Sequence, residues 1–290
     1  MSPDKTLGPG LLSLLSLALA YLLWRTLAAG PWFLASGTLM WLGYVLIVVM
    51  LVGPLLWLAD RRAAGDEPTL GPAAESSARI RSAPLVVTAL VLLADLLLLN
   101  APNLAVHASL EFNWQGKIVA LAVMLVFVAL WPGLSRRGVG FTVPGWAGWW
   151  PALLVTGAAA LFWAAATSED PPLNVAAEAL LFQATMPSLE EEVVWRGILW
   201  AFLLQALPRT RRFGGQGWAL LVSTLGFALI HGMVLDAHLS LTVDVPLFAF
   251  SGIAGLALGW IRIRSGSILP AMAAHSGINL SALIVPVLLR

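Results

Sequence analysis

Three polar clusters lie in the apolar second half of this sequence, and their side chains are of the kinds that catalyse hydrolysis. The clusters are Glu191-Glu192-x-x-x-Arg196, Phe227-x-x-x-His231 and His275-x-x-x-Asn279. Each lies in or beside a run of about twenty apolar residues, where ionisable groups are costly, face other helices and usually have a function. Two carboxylates, two imidazoles, an amide and a guanidinium brought together would form a hydrolytic site inside a membrane.

The spacing of the first cluster predicts an ion pair. Residues four apart in a helix lie on one face, whereas adjacent residues diverge by about 100°. We therefore expect Glu192 to pair with Arg196 and Glu191 to face other helices. Glu190 also precedes the pair, but its spacing of six to Arg196 gives no such match. An acidic cap on a helix that begins at Pro187 would explain the carboxylates equally well.

The other two clusters each place two polar or aromatic side chains one helical turn apart. Taken alone, His231 is more simply explained as a buried histidine bonded to a backbone or hydroxyl group, with Phe227 beside it. His275 and Asn279 could equally form a polar contact between helices. Asp95, in another apolar run, is as open to a structural role as to a functional one. Only the conjunction of the clusters favours a shared site.

The elements that would position these residues are membrane helices. Of the 290 residues, 59% are hydrophobic and 11% are charged, with a mean hydropathy of +0.87, whereas a soluble domain is about 25% charged. The composition predicts an all-α fold, a polytopic transmembrane helical bundle. The net charge of +1 gives no indication of a nucleic-acid partner, and the absence of cysteine excludes disulfides and thiol catalysis.

Apolar runs of spanning length predict eight or nine membrane helices. The runs are 11–30, 32–58, 84–106, 116–133, 150–168, 187–207, 216–234, 245–262 and 268–289. A shorter apolar segment, 173–186, joined to 187–207 would form a helix of about 50 Å, longer than a bilayer core of about 30 Å. We therefore expect a break at Met186-Pro187, with Pro187 in the first turn of a new helix. Segment 173–186 would lie along the interface or re-enter the membrane.

Positive charge alternates between the connecting loops. Arginines lie in 59–83, 136–137, 209–212 and 262–264, whereas 30–32, 107–116, 169–174 and 235–244 contain no Lys or Arg. By the positive-inside rule, the N-terminus and the Arg-bearing loops face the cytoplasm. We expect a multi-pass protein of a cytoplasmic (inner) membrane of the bacterial type. Segment 59–83 would be a cytoplasmic linker between a two-helix unit, 1–58, and the main membrane bundle, 84–290.

The order and spacing of the three clusters resemble those of the CPBP family of intramembrane proteases. This family includes type II CAAX prenyl endopeptidases, bacteriocin-processing enzymes and myxosortase-like proteins. Its motifs E-E-x-x-x-R, F-x-x-x-H and H-x-x-x-N are all present, and the run from Gly255 to Pro270 resembles the family's approach to its last motif. One departure is Trp195, where the family usually has Phe. The resemblance covers about 150–290, the expected protease core.

The resemblance implies an endopeptidase that cuts near the C-terminus or membrane anchor of a membrane-associated protein or peptide in the lipid bilayer. Glu191 would be the general base that activates water, and His231 would help to hold that water. His275 and Asn279 would donate hydrogen bonds to the oxyanion.

The same resemblance gives supporting roles to Glu192 and Arg196, which would orient the first motif, and to Phe227. No cofactor is expected. One Glu and two His could also bind zinc, a mechanism proposed for the family, but Asn279 is a poor zinc ligand and a good oxyanion donor. A proton-coupled transporter and a non-catalytic membrane scaffold are the alternatives. A transporter is less favoured because no repeat relates the two halves of the chain.

The side of access bears on the substrate. If the helix with Glu191 begins at Pro187 on the outer face, Glu191 lies only about 6 Å along it. That depth predicts a site in the outer half or middle of the membrane. It favours clipping of the membrane anchors of exported proteins over processing of prenylated cytoplasmic tails.

Overall fold

A computed structural model describes residues 82–99, 112–166, 175–208, 213–235 and 241–289. Its α-helices are α1 (Ser82–Leu99), α2 (Trp114–Leu130), α3 (Arg136–Val139), α4 (Trp150–Ala166), α5 (Ala177–Glu192), α6 (Trp200–Ala206), α7 (Gly217–Gly232), α8 (Val245–Ser265) and α9 (Leu269–Leu288). A π-helix, Val193–Leu199, joins α5 to α6, and 3-10 turns span Trp146–Gly148 and Phe213–Gly215. The predicted helical character is confirmed in these ranges.

A small β-hairpin departs from the all-α prediction. Strand β1 (Met233–Leu235) pairs antiparallel with β2 (Leu241–Val243), and Met233 lies opposite Val243. The backbone N–H of Asp244 also donates to the carbonyl of Gly232. The hairpin therefore fixes the end of α7 against the start of α8.

Several described helices suit a membrane. Three of them, Trp146–Ala166, Val245–Ser265 and Leu269–Leu288, are long and apolar enough to cross one by length and composition. Helix α4 turns large apolar side chains outward, Leu153 and Leu161 among them, as a lipid-facing helix does. The unit 1–58 and the linker up to residue 81 lie outside the described residues, as do 209–212 and most of the loops without positive charge. The count of eight or nine spans, the domain division and the orientation therefore stay predictions.

Local signals in the sequence account for the ends of several helices. The side chain of Asn113 accepts a hydrogen bond from the N–H of Gly116 and caps α2. Asp244 caps α8 in the same way through the N–H of Leu247. Helix α8 ends at Gly266, whose φ of 67° lies in the left-handed region that glycine adopts at little cost.

The predicted break at Met186-Pro187 is wrong. Helix α5 runs through Pro187 without interruption. Residues 177–186 of the predicted interfacial segment therefore belong to the same helix as Glu191. Two hydroxyl groups bond carbonyls in the turn before the proline ring and support the helix there. The Ser188 hydroxyl donates to the carbonyl of Thr185, and the Ser276 hydroxyl from α9 donates to that of Ala184. Hydroxyl groups of the same helix and of a neighbouring helix are among the groups that allow membrane helices to contain proline.

The π-helix is the central element of the described fold. All seven of its residues are buried, and it contacts α1, α2, α3, α7 and α8. Around it, α7 packs along α8, while α9 packs against α4 and α5. The three motif-bearing elements, α5 with the π-helix, α7 and α9, therefore meet.

Arg262 corrects one loop assignment. It lies within α8 and is buried rather than exposed in a connecting loop. Its Nε donates to the carbonyl of Arg196 at 3.1 Å, and its Nη2 donates to the carbonyl of Gly138 at 3.0 Å. Arg262 thus ties the π-helix to α3.

Candidate active site

Glu191 has two oxygens in different surroundings. Its Oε1 accepts a hydrogen bond from the ammonium of Lys117 on α2 at 2.7 Å. Its Oε2 is buried and has no hydrogen-bond partner among the described residues. The Nε2 atoms of His231 and His275 lie 3.7 and 3.8 Å from this Oε2. The structure therefore brings Glu191 and both predicted histidines to one point.

The tautomer of His231 follows from its second nitrogen. Its Nδ1 lies 2.8 Å from the carbonyl oxygen of Phe227. A carbonyl only accepts, so Nδ1 must donate. In the neutral ring Nε2 then has a free lone pair, directed towards Glu191. The site therefore presents two hydrogen-bond acceptors, Glu191 Oε2 and His231 Nε2, to a molecule that lies between them.

His275 is held by Glu192. Its Nδ1 lies 2.9 Å from Glu192 Oε1, and the same oxygen accepts from Arg196 Nη1 at 2.9 Å. The ion pair predicted from the spacing of Glu192 and Arg196 is present, and both side chains are fully buried. Because an ionised carboxylate only accepts, His275 donates from Nδ1. Its Nε2 can donate as well only when the ring is the imidazolium.

Phe227 lies at the centre of the site. Its ring centroid is 4.4 Å from the Arg196 guanidinium carbon and 4.3 Å from the His231 ring, close enough for a cation–π contact with the arginine. Trp195 meets the same ring edge-on at 5.8 Å. The tryptophan that replaces the usual Phe before Arg196 is therefore a packing partner of the second motif.

Asn279 lies one turn beyond His275 on α9. Its Nδ2 donates to Gln183 Oε1 on α5 at 3.0 Å. A second polar contact joins the same two helices, since the hydroxyls of Ser188 and Ser276 lie 2.7 Å apart. The amide keeps a second N–H for another acceptor.

The described donors are not arranged for a metal ion. No group of three or more His, Cys, Asp or Glu side chains in the described ranges could hold one. Glu191 already binds the Lys117 ammonium through Oε1. The described side chains therefore give no support to a zinc site at Glu191.

Sequence reasoning missed two charged members of the cluster. Lys117 contacts both Glu190 and Glu191, and Glu190, which seemed unmatched, is fully buried. A signal existed for Lys117, because it is one of two lysines in the chain and the only charged residue in the apolar run 116–133. Gln183 had no comparable signal.

The depth assigned to Glu191 from the sequence is also wrong. With α5, the π-helix and α6 forming one helical run over 177–206, Glu191 lies about 20 Å from either end at the usual rise per residue. It is not about 6 Å from an outer end, because the helix does not begin at Pro187. The inference of an outer-half site loses this support.

One family of known proteins matches part of the chain. Residues 173–281 match the family model described as Type II CAAX prenyl endopeptidase Rce1-like. This range contains all three motifs, the π-helix and the two histidines that face Glu191. No curated protein and no solved structure matches the chain. The match confirms the family resemblance predicted from the motifs: residues 173–281 of this helical membrane protein are similar to the Rce1-like family.

Proposed function

We propose that this protein is an intramembrane endopeptidase that hydrolyses a peptide bond near the C-terminus of a membrane-anchored protein. The observation that carries the proposal is the unpaired Oε2 of Glu191, which faces the Nε2 atoms of His231 and His275. The Rce1-like match supports the reaction class. It gives no support to the transporter or scaffold alternatives.

In the proposed reaction, a water molecule lies between Glu191 Oε2 and His231 Nε2. It donates one hydrogen to each acceptor, which leaves an oxygen lone pair for attack on the peptide carbonyl carbon. Glu191 takes the proton as the carbon–oxygen bond forms, and then delivers it to the leaving nitrogen as the carbon–nitrogen bond breaks. Lys117 holds Oε1 throughout, so Oε2 is the basic atom.

The developing oxyanion needs donors. Asn279 offers its remaining N–H, and His275 offers Nε2–H as the imidazolium, with Glu192 on its other side as the balancing charge. Donors of this kind stabilise an oxyanion strongly where water is excluded. The Glu192–Arg196 pair therefore acts on the reaction by orienting His275 rather than by touching the substrate.

The test uses the full chain in lipid nanodiscs and a quenched-fluorescence peptide with a farnesylated Cys-aliphatic-aliphatic-X tail. Wild type should cleave it, and Glu191→Gln should not. Glutamine keeps the size of the side chain but has no carboxylate to accept the proton, so the thermal midpoint should change little. Cleavage by Glu191→Gln at the wild-type rate would refute the glutamate mechanism.

Two further measurements define the substrate. The unprenylated form of the same peptide tests whether the lipid is required. C-terminal proteomics of membranes with wild type or Glu191→Gln then identifies the natural tails. Glu191-dependent cuts in prenylated cytoplasmic tails support the prenyl-processing class. Cuts confined to the anchors of exported proteins would replace it with the anchor-clipping class.

A further inference from the structure

We propose that Lys117 is a positioning residue for the general base, an inference that rests on the proposed function above. Lys117 lies on α2, outside the Rce1-like match and outside the three motifs. Its ammonium reaches across to α5 and donates to Glu191 Oε1 at 2.7 Å. This bond selects which oxygen of Glu191 faces the histidines.

Lysine is suited to this task by its shape. Its ammonium is a compact charge with three donors that can point in different directions. Two of those donors are used here, one on Glu191 and one on Glu190. The contact with buried Glu190 fixes the ammonium, and the contact with Glu191 fixes the carboxylate. A Glu191 side chain without this partner could rotate and present either oxygen, or neither, to the water.

The charges around Lys117 give it an electrostatic role in addition to orienting the Glu191 carboxylate. Three successive carboxylates, Glu190, Glu191 and Glu192, meet two permanently charged cations, Lys117 and Arg196. Arg196 is bonded to Glu192, so of these two cations it is Lys117 that donates a hydrogen bond to the base. Other titratable groups also face this cluster from neighbouring helices: Asp95 from α1 faces Glu190, while His231 from α7 and His275 from α9 face Glu191.

A simpler role for Lys117 would be to neutralise Glu190 and so stabilise the fold. A double variant separates the two roles. Lys117→Met with Glu190→Gln removes one buried charge of each sign, so no carboxylate is left at position 190 without its cation. Glu191 alone then lacks its partner. Glu190→Gln by itself is the matched control, because it keeps the bond between Lys117 and Glu191.

We expect the double variant to fold, with a thermal midpoint near that of Glu190→Gln. Its kcat on the farnesylated peptide at pH 7 should fall at least tenfold, while KM changes little. Because the cation no longer opposes protonation of Glu191, the acidic limb of the pH–kcat profile should move to higher pH. The expected shift is about 1–3 pH units, the usual effect of a neighbouring opposite charge. Glutamine at position 190 still offers an oxygen that accepts a hydrogen bond from Lys117. The acidic limb of Glu190→Gln should therefore not move to higher pH, and the double variant should differ from it in both kcat and profile.

Two results would overturn this role. One is a double variant with the kcat and pH profile of Glu190→Gln, which would make Lys117 a structural partner of Glu190 alone. The other is a loss of kcat with no shift of the profile and a lowered thermal midpoint. Glu191→Gln is measured alongside: if it remains active, the proposed function fails, whatever the Lys117 variants do.

Discussion

Replacing Arg196 by Met should destabilise the fold by an amount that can be worked out from its contacts. Arg196 is fully buried and donates to Glu192 Oε1 at 2.9 Å and to the carbonyl of Gly255 at 3.2 Å. Its guanidinium also lies over the Phe227 ring. Methionine fills most of the same volume but has no charge and no donor, so the change isolates the polar contacts.

The largest loss is the pairing of Glu192. Removing one partner of a buried ion pair costs about 3–5 kcal/mol, because the other charge loses its permanently charged partner. The losses at Gly255 and Phe227 belong to the same side chain and are not added separately. For a chain of this size, about 2–4 °C of thermal midpoint corresponds to each kcal/mol. The midpoint should therefore fall by about 6–20 °C.

The assay is thermal unfolding of the purified protein in one detergent, with cleavage of the farnesylated peptide measured on the same samples. The control is Arg196→Met combined with Glu192→Gln, which removes both charges. A buried pair replaced by neutral groups costs little, so this double variant should regain most of the midpoint. It should stay impaired in cleavage, since His275 has lost its carboxylate. A single Arg196→Met variant with the wild-type midpoint would refute the reasoning.

Two further predictions concern the support and the chemistry of the site. Gly140 has a φ of 88°, and a Cβ there would lie 2.7 Å from the Arg262 guanidinium carbon, so Gly140→Ala should cost about 1–3 kcal/mol in unfolding experiments. Gly145→Ala is its control, because nothing lies within 4 Å and φ is −62°; equal midpoints for the two variants would contradict the strain argument. Asn279→Ala should lower kcat by about 10²–10³-fold, as loss of an oxyanion donor does. Gln183→Ala should lower it less, and an equal loss in both would indicate that the contact between the helices matters more than the donor.

Local spacing predicted the parts of the site that lie on a single helix. The Glu192–Arg196 pair depends only on the four-residue repeat of a helix, and this repeat survives the entry into the π-helix. The bond from His231 to the Phe227 carbonyl is also one turn long, and a backbone partner is what the simpler interpretation of His231 expected. In both cases the sequence separation is small, so helix geometry alone determines which groups can meet.

Contacts between distant residues could not be predicted in this way. The Lys117–Glu191 bond joins residues 74 apart in sequence, and no local pattern relates them. The error at Pro187 has the same origin, because the hydroxyl that bonds the Ala184 carbonyl comes from Ser276, 92 positions away. The hairpin was not predicted for a different reason. Its first strand continues the apolar run 216–234, and the hydrophobic pattern of so short a stretch does not distinguish three strand residues from the end of a helix.

The site residues differ in solvent exposure, and the difference affects how a substrate can reach Glu191. Side-chain exposure is 0% for Glu192 and Arg196, 8% for His275, 12% for Glu191 and 31% for His231. Within the described part of the chain, His231 is therefore the most exposed of these side chains, and a substrate would meet it before the more deeply buried Glu191. A membrane anchor in helical form has every carbonyl bonded along its own axis. If the proposed cleavage takes place at the buried Glu191, the anchor must uncoil locally to present a carbonyl there, and segments rich in glycine, proline or β-branched residues next to the cut should be cleaved preferentially.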